Sequence, residues 1–263
     1  MPNFKYDSVV YVDLDGTIIR GPFEPAVFPV VFAELARKAR LDVSEIRRQV
    51  LEENLDRQRD PNVSAVLAMD WDDIFNTVAE RLGVSLETRA VEIANQQAGP
   101  PYAALLDGAD QVLKLLASRR RALVVATKGL AKYQRPVLNA LGLTPLFTDI
   151  LTPDVNHALK NDLRFFGDWP QAAPLQISVG DHYEDDVVAP KQFGFKAIWK
   201  VGTPDEETSE QLAHVKSGAQ LRKLDPFERP TNFQTAQRQT ARPDAIIFSL
   251  CELREVVERL ENQ

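Results

Sequence analysis

The feature that most constrains this chain is a set of five short, nearly continuous runs of β-branched and aromatic residues, at 9–12, 122–126, 175–179, 197–201 and 245–248. Runs that do not alternate in polarity suit strands covered on both faces, which in practice means an open parallel sheet. A weaker run spans 147–151. Helix-length segments separate them, such as 110–119, where Val112, Leu113, Leu115 and Leu116 form one apolar face. Strand, helix, strand alternation of this kind predicts a Rossmann-like α/β core with right-handed crossovers.

Residues 24–97 break the alternation. They hold no convincing strand and read as several helices carrying Val31/Leu35, Val50/Leu51/Leu55, Ile74/Phe75/Val78 and Val91/Ile93. Gly99-Pro100-Pro101 and Asp107-Gly108 punctuate the return to the α/β pattern. The expected division is therefore a core of 1–20 and 101–263 interrupted by an all-helical insertion over 21–100. Residues 203–243 are rich in Pro, Gln, Thr and Arg, with a helical stretch read only at 211–215, and predict an irregular excursion from the core.

Composition limits the function classes. The 263 residues carry 31 Lys plus Arg against 38 Asp plus Glu, a net charge of −7, which argues against nucleic acid or an anionic membrane surface as partner. The longest apolar run near the start, 26–33, is interrupted by Pro29 and far too short to span a bilayer. Residues 1–7 lack the layout of a signal peptide, and the single Cys251 has no partner for an intramolecular disulfide, so the expected compartment is the cytoplasm.

Chemistry concentrates at the ends of the apolar runs. Val9-Val10-Tyr11-Val12 leads into Asp13-Leu14-Asp15-Gly16-Thr17, two carboxylates followed by a glycine that permits a sharp turn. Ligand sites of open α/β sheets lie beyond the carboxyl ends of strands, where this pair falls. Leu123-Val124-Val125-Ala126 leads into Thr127-Lys128-Gly129, Lys160 precedes Asn161-Asp162, and Val179 leads into Gly180-Asp181-His182-Tyr183-Glu184-Asp185-Asp186. Taken singly, the Thr reads as a cap, the Lys as a surface charge and the acidic run as the start of a helix.

Together these four motifs resemble the haloacid-dehalogenase-like superfamily, whose first motif reads Asp-x-Asp-Gly-Thr after a strand. The resemblance covers 9–20 and 101–201, with 243–260 fitting the final strand and helix. Departures are Lys128 where Asn is frequent, Asn161 in place of Pro, and Asp185 where Asn is frequent. The resemblance implies a helical cap over the active site, Asp13 as nucleophile, Asp15 as general acid and base, and Thr127 and Lys160 as further catalytic groups. It also implies a phosphate-binding set of Gly16, Thr127, Lys128, Gly129 and Lys160. Asp13, Asp15, Asp181 and Asp186 are the implied Mg²⁺ site, with Asp185 or Asp186 left open for the last position. If those carboxylates converge, each like-charged pair near 4 Å costs on the order of 4 kcal/mol at an effective dielectric near 20, so a cation is required. Oxygen-only ligands suit Mg²⁺.

The expected activity is hydrolysis of a small phosphorylated metabolite through an aspartyl-phosphate. The alternatives are a phosphotransferase such as a sugar-phosphate mutase, a dehalogenase, which does not need the second Asp, and a non-catalytic binding relative. His157, His182 and His214 are too scattered for a zinc site, although His182 adjoins Asp181. Arg119-Arg120-Arg121 reads as the closing turn of a helix. Arg47, Arg48, Met69, Asp70 and Trp71 of the insertion could reach a substrate, although periodicity alone explains most of them as core or surface residues. Monomer and homodimer both remain compatible.

Overall fold

The computed structural model describes residues 4–201 and 241–263. Six strands form one sheet: β1 (Ser8–Val12), β4 (Arg121–Ala126), β5 (Asp149–Leu151), β6 (Leu175–Gly180), β7 (Lys196–Lys200) and β8 (Ala245–Ile247). Their order is β5-β4-β1-β6-β7-β8 and every pairing is parallel. All five expected runs are strands, and so is the weaker one.

Within each apolar run the side chains still alternate between two faces. Val10, Val12, Leu123, Val125, Ile177 and Val179 pack with α6 (Ala109–Leu116), α7 (Ala131–Ala140) and α10 (Leu253–Glu261). Val9, Tyr11, Ala122 and Val124 pack on the other face with Phe165, Phe166 and Phe195. Tyr11 meets Phe166 edge to face at 4.8 Å and donates its hydroxyl to Gln176 at 2.8 Å. Two covered faces explain why the strands read as unbroken hydrophobic runs.

Between the short strands β2 (Ile19–Arg20) and β3 (Ala104–Leu105), which pair antiparallel, lie five helices. These are α1 (Phe28–Ala39), α2 (Val43–Arg59), α3 (Ala65–Met69), α4 (Trp71–Arg81) and α5 (Ala90–Gln96). Two-residue strands leave no readable periodicity, so this pair escapes the sequence. The helices bury Val31, Leu35, Ile46, Val50, Ile74, Phe75 and Val78 in one cluster that also takes Leu130 and Tyr133 from the sheet side. Three expected apolar stripes are corrected, the first in α6, where Val112, Leu113 and Leu116 are buried while Leu115 is exposed. In α2 the buried line runs Ile46, Val50, Asn54, each four residues apart on one helical face, while Leu55 is exposed. Asn54 is satisfied there by donating to the carbonyl of Ala68 at 2.9 Å. In α5 the buried residues are Ala90 and Ala94, with Val91 and Ile93 only partly covered.

The arginine cluster is also corrected. Helix α6 ends at Leu116, and Arg121 opens β4, where its guanidinium grips Glu261 of α10 (Nε to Oε1, 2.7 Å). Burial pushes the Glu261 carboxyl up, but Arg121 and Ser8 outweigh it and hold the group below its ordinary value. Arg121→Ala is expected to cost about 1.5–3 kcal/mol in urea unfolding at pH 7. Because the folded pKa is lowered, this contribution is present above the ordinary carboxylate range and fades as pH falls through the folded value, so the deficit narrows on acidification. Of the expected excursion at 203–243, only 241–243 fall among the described residues; 211–215 and His214 lie outside them. No described helix is long and apolar enough to cross a membrane.

Candidate active site

Register brings the motif residues to one rim. Val12 pairs with Val125 of β4 and Val179 of β6, so the chain leaves all three central strands at the same level. Asp13, Thr127 and Asp181 follow at once. Thr17, fully buried in the turn after β1, sits between two of these segments. Its Oγ1 lies 3.1 Å from Asp13 Oδ2 and 3.0 Å from Asp181 Oδ1, and accepts the Asp181 N–H at 3.1 Å. The turn passes so close that a Cβ on Gly16, whose φ is +82°, would run into the Asp181 carboxylate.

Lys160, only 3% exposed, donates to Asp13 Oδ1 at 2.5 Å and to Asp186 Oδ1 at 2.8 Å. Burial opposes its charge, but the two carboxylates outweigh burial and hold the ammonium protonated. Asp186 also accepts the His182 N–H at 3.0 Å. Gly180 makes room for it, since a Cβ there would overlap the Asp186 carboxylate. Gly180→Ala should therefore destabilise by about 1–3 kcal/mol in equilibrium unfolding.

Asp13, Asp181 and Asp186 each offer an oxygen, all within 4.8 Å of one another. Three ionised carboxylates against one ammonium leave 3 − 1 = 2 negative charges in excess. Burial, reinforced by the charge on Asp13, raises the carboxyls of both Asp181 and Asp186. A hard, oxygen-only set of three carboxylates that outnumbers its one buried ammonium fits a divalent cation such as Mg²⁺. Groups with raised folded pKa values hold extra protons when folded, so stability should fall as pH rises from the ordinary carboxylate range toward those values. Added Mg²⁺ is accordingly expected to raise the melting temperature more at pH 8 than at pH 5. Equal shifts at both pH values would count against this cluster as the binding site.

The structure separates Asp15 from this group, correcting its expected place among the ligating carboxylates. The chain turns after Leu14, which is buried, and the Asp15 side chain points to α7, where Oδ2 accepts from Gln134 Nε2 at 2.7 Å. Asp15 as a residue is exposed, but protein groups crowding its carboxyl strip it of solvent and push it up to about 6, against the Gln134 hydrogen bond and with the charge on Asp13 adding to the rise. The two members of the acidic pair are placed differently. Asp186 joins the cluster, while Asp185 faces Lys128 (2.6 Å) and His182 Nδ1 (2.9 Å). Lys128 also donates to Gln58 of α2 at 3.0 Å, so its ammonium is engaged. Thr127 accepts the Gly129 N–H at 3.1 Å, the turn-forming role that its residue type alone suggests.

A cavity of about 510 Å³ opens over these groups, with Asp13, Asp15, Gly16, Thr127, Lys128, Gly129, Lys160 and Asp181 on one side. Met69 and Trp71 reach it from the helical segment, whereas Arg47 pairs with Glu24 and Arg48 with Glu45 and Glu52 on exposed surface. Asp70, between them, accepts from the Tyr133 hydroxyl at 3.0 Å and from Lys132 at 2.7 Å. Sequence reasoning missed Gln134 and Tyr133. A glutamine and a tyrosine on an amphipathic helix carry no signal of their own.

No family model and no curated protein matches the chain. Solved structures do. A HAD phosphatase from Thermococcus onnurineus superposes with a TM-score of 0.66 at 23% identity, covering 95% of this chain and 97% of that one. The HAD-hydrolase YfnB from Bacillus subtilis, bound to magnesium, gives 0.63 at 16% identity over 97% and 99%. The L-2-haloacid dehalogenase from Xanthobacter autotrophicus gives 0.58 at 17% identity over 96% and 98%. The shared architecture extends over nearly the whole of each chain.

Proposed function

We propose that this chain, which has the fold of the haloacid-dehalogenase-like hydrolases, is a Mg²⁺-dependent phosphatase of small phosphomonoesters acting through an aspartyl-phosphate. Structural relatives include phosphatases and dehalogenases alike, so the fold does not choose between them. The observation that carries the choice is Asp15. It is a second carboxyl on the same cavity as Asp13, held outside the acidic cluster by Gln134 at 2.7 Å, with its pKa raised. Such a group can give and take a proton near neutral pH.

In this reading Asp13 attacks phosphorus, the P–O bond to the alcohol breaks, and the proton on Asp15 passes to the departing oxygen. Water then gives a proton to Asp15 and attacks the acyl phosphate, releasing phosphate and restoring the Asp13 carboxylate. Lys160 and Thr17 orient Asp13, and Gln134 orients Asp15. Asp13, Asp181 and Asp186 would hold Mg²⁺, which supplies positive charge against the phosphoryl oxygens when bound.

The test is a panel of phosphomonoesters and 2-haloacids, with and without EDTA. Phosphate and alcohol in equal amounts, stopped by EDTA, are expected. Halide release in place of phosphate would overturn the reading, and phosphoryl transfer without free phosphate would point to a mutase. Asp15→Asn should lower turnover by roughly 10²- to 10⁴-fold while leaving the Mg²⁺ shift in melting temperature intact.

A further inference from the structure

The cavity has two unlike halves. Phe23, Phe28, Met69 and Trp71 line the same cavity as the acidic groups and form its aromatic-rich wall. Phe28 and Trp71 meet edge to face with centroids 5.0 Å apart, and Phe23 lies 5.8 Å from Trp71 and 5.6 Å from Phe28. Several polar groups near this wall are engaged with one another. Lys128 is held by Asp185 and Gln58, the Tyr133 hydroxyl by Asp70 and Asp72, and Glu24 by Arg47. Arg20, on the exposed side, donates to the carbonyl of Pro101 at 3.3 Å. Phe28 and Met69 are buried, so what the wall offers a ligand is chiefly the rings of Phe23 and Trp71.

The wall is also held in place. Asp70, between Met69 and Trp71, caps α4 by accepting the Asp72 N–H at 3.2 Å, while Lys132 and Tyr133 of α7 anchor it to the segment that follows Thr127. An aromatic surface fixed before binding loses little freedom when it takes up a ring, and rings pair well at centroid separations of about 4.5–7 Å.

We propose that the alcohol portion of the substrate is aromatic or compactly apolar, as in a phosphomonoester of an arylalkyl alcohol, seated against Phe23, Phe28, Met69 and Trp71. This rests on the phosphatase reading for the reacting group and on the wall for the rest of the substrate.

The test compares 2-phenylethyl phosphate with glycerol 3-phosphate, both of which leave through an alkyl oxygen, in the presence of Mg²⁺. The expected kcat/KM is roughly 10- to 100-fold higher for the aromatic ester. Trp71→Ala should collapse that ratio toward one, and because a ratio cancels the fraction of folded protein, partial misfolding does not imitate the result. Titration calorimetry of both esters with Asp13→Asn protein should show the same preference in binding. Phosphate release without preference, or with preference for glycerol 3-phosphate, overturns the substrate class and leaves the phosphatase reading standing. No release from either ester overturns the substrate class, and no release from the wider phosphomonoester panel overturns the phosphatase reading as well, whereas a surviving binding preference would still assign the wall to aromatic ligands. Equal binding would remove that as well.

Discussion

Replacing Asp13 with Asn is expected to lower phosphate release by roughly four to six orders of magnitude, as loss of a covalent nucleophile does elsewhere. An amide keeps the shape of the side chain and one oxygen for Lys160 or Thr17, yet it cannot form an acyl phosphate. The fold should survive, because the substitution removes one negative charge from a site where Asp181 and Asp186 already repel it. Thermal unfolding serves as the control, and mass spectrometry of wild-type protein quenched during turnover should find phosphate on the peptide containing Asp13. An Asn variant with undiminished turnover would mean that another group attacks phosphorus.

Lys160→Met should produce the largest loss of stability of any single substitution at the site, about 3–5 kcal/mol at pH 8 without divalent metal. The ammonium is the buried counter-charge for both Asp13 and Asp186, and methionine fills similar volume without replacing either hydrogen bond. The deficit should shrink toward pH 5, where protonation of the raised Asp181 and Asp186 carboxyls relieves the repulsion. Mg²⁺ should recover part of it at pH 8. Urea titrations at the two pH values, with and without Mg²⁺, measure all of this. A loss independent of pH and metal would mean that Lys160 acts through packing alone.

How much of this was legible before the fold was known depends on the range of the interaction involved. The strands were, because an apolar run covered on both faces leaves few alternatives to a buried parallel strand. So was the neighbourhood of Asp13, Thr127 and Asp181, since residues that follow parallel central strands must share a rim. Lys160 was legible only through resemblance. Its burial between Asp13 and Asp186 depends on how the segment after β5 folds back, and no local pattern encodes that. The stripe through Ile46, Val50 and Asn54 went unread because hydrophobicity pointed to Leu55, whereas a backbone carbonyl at Ala68 made a buried asparagine acceptable.

Sequence alone determined the α/β architecture and the strand ends at which acidic and hydroxyl groups would gather, because burial and side-chain alternation are local consequences of residue type. Tertiary structure alone decided that Asp186 rather than Asp185 joins the cluster, that Asp15 turns to Gln134, that Lys128 is engaged by Asp185 and Gln58, and that four apolar side chains share a cavity with the carboxylates. Each of these is a choice of partner between segments distant in the chain. Such choices follow from the register of neighbouring strands and the seating of one helix on another, and neither is written in the spacing of any single motif.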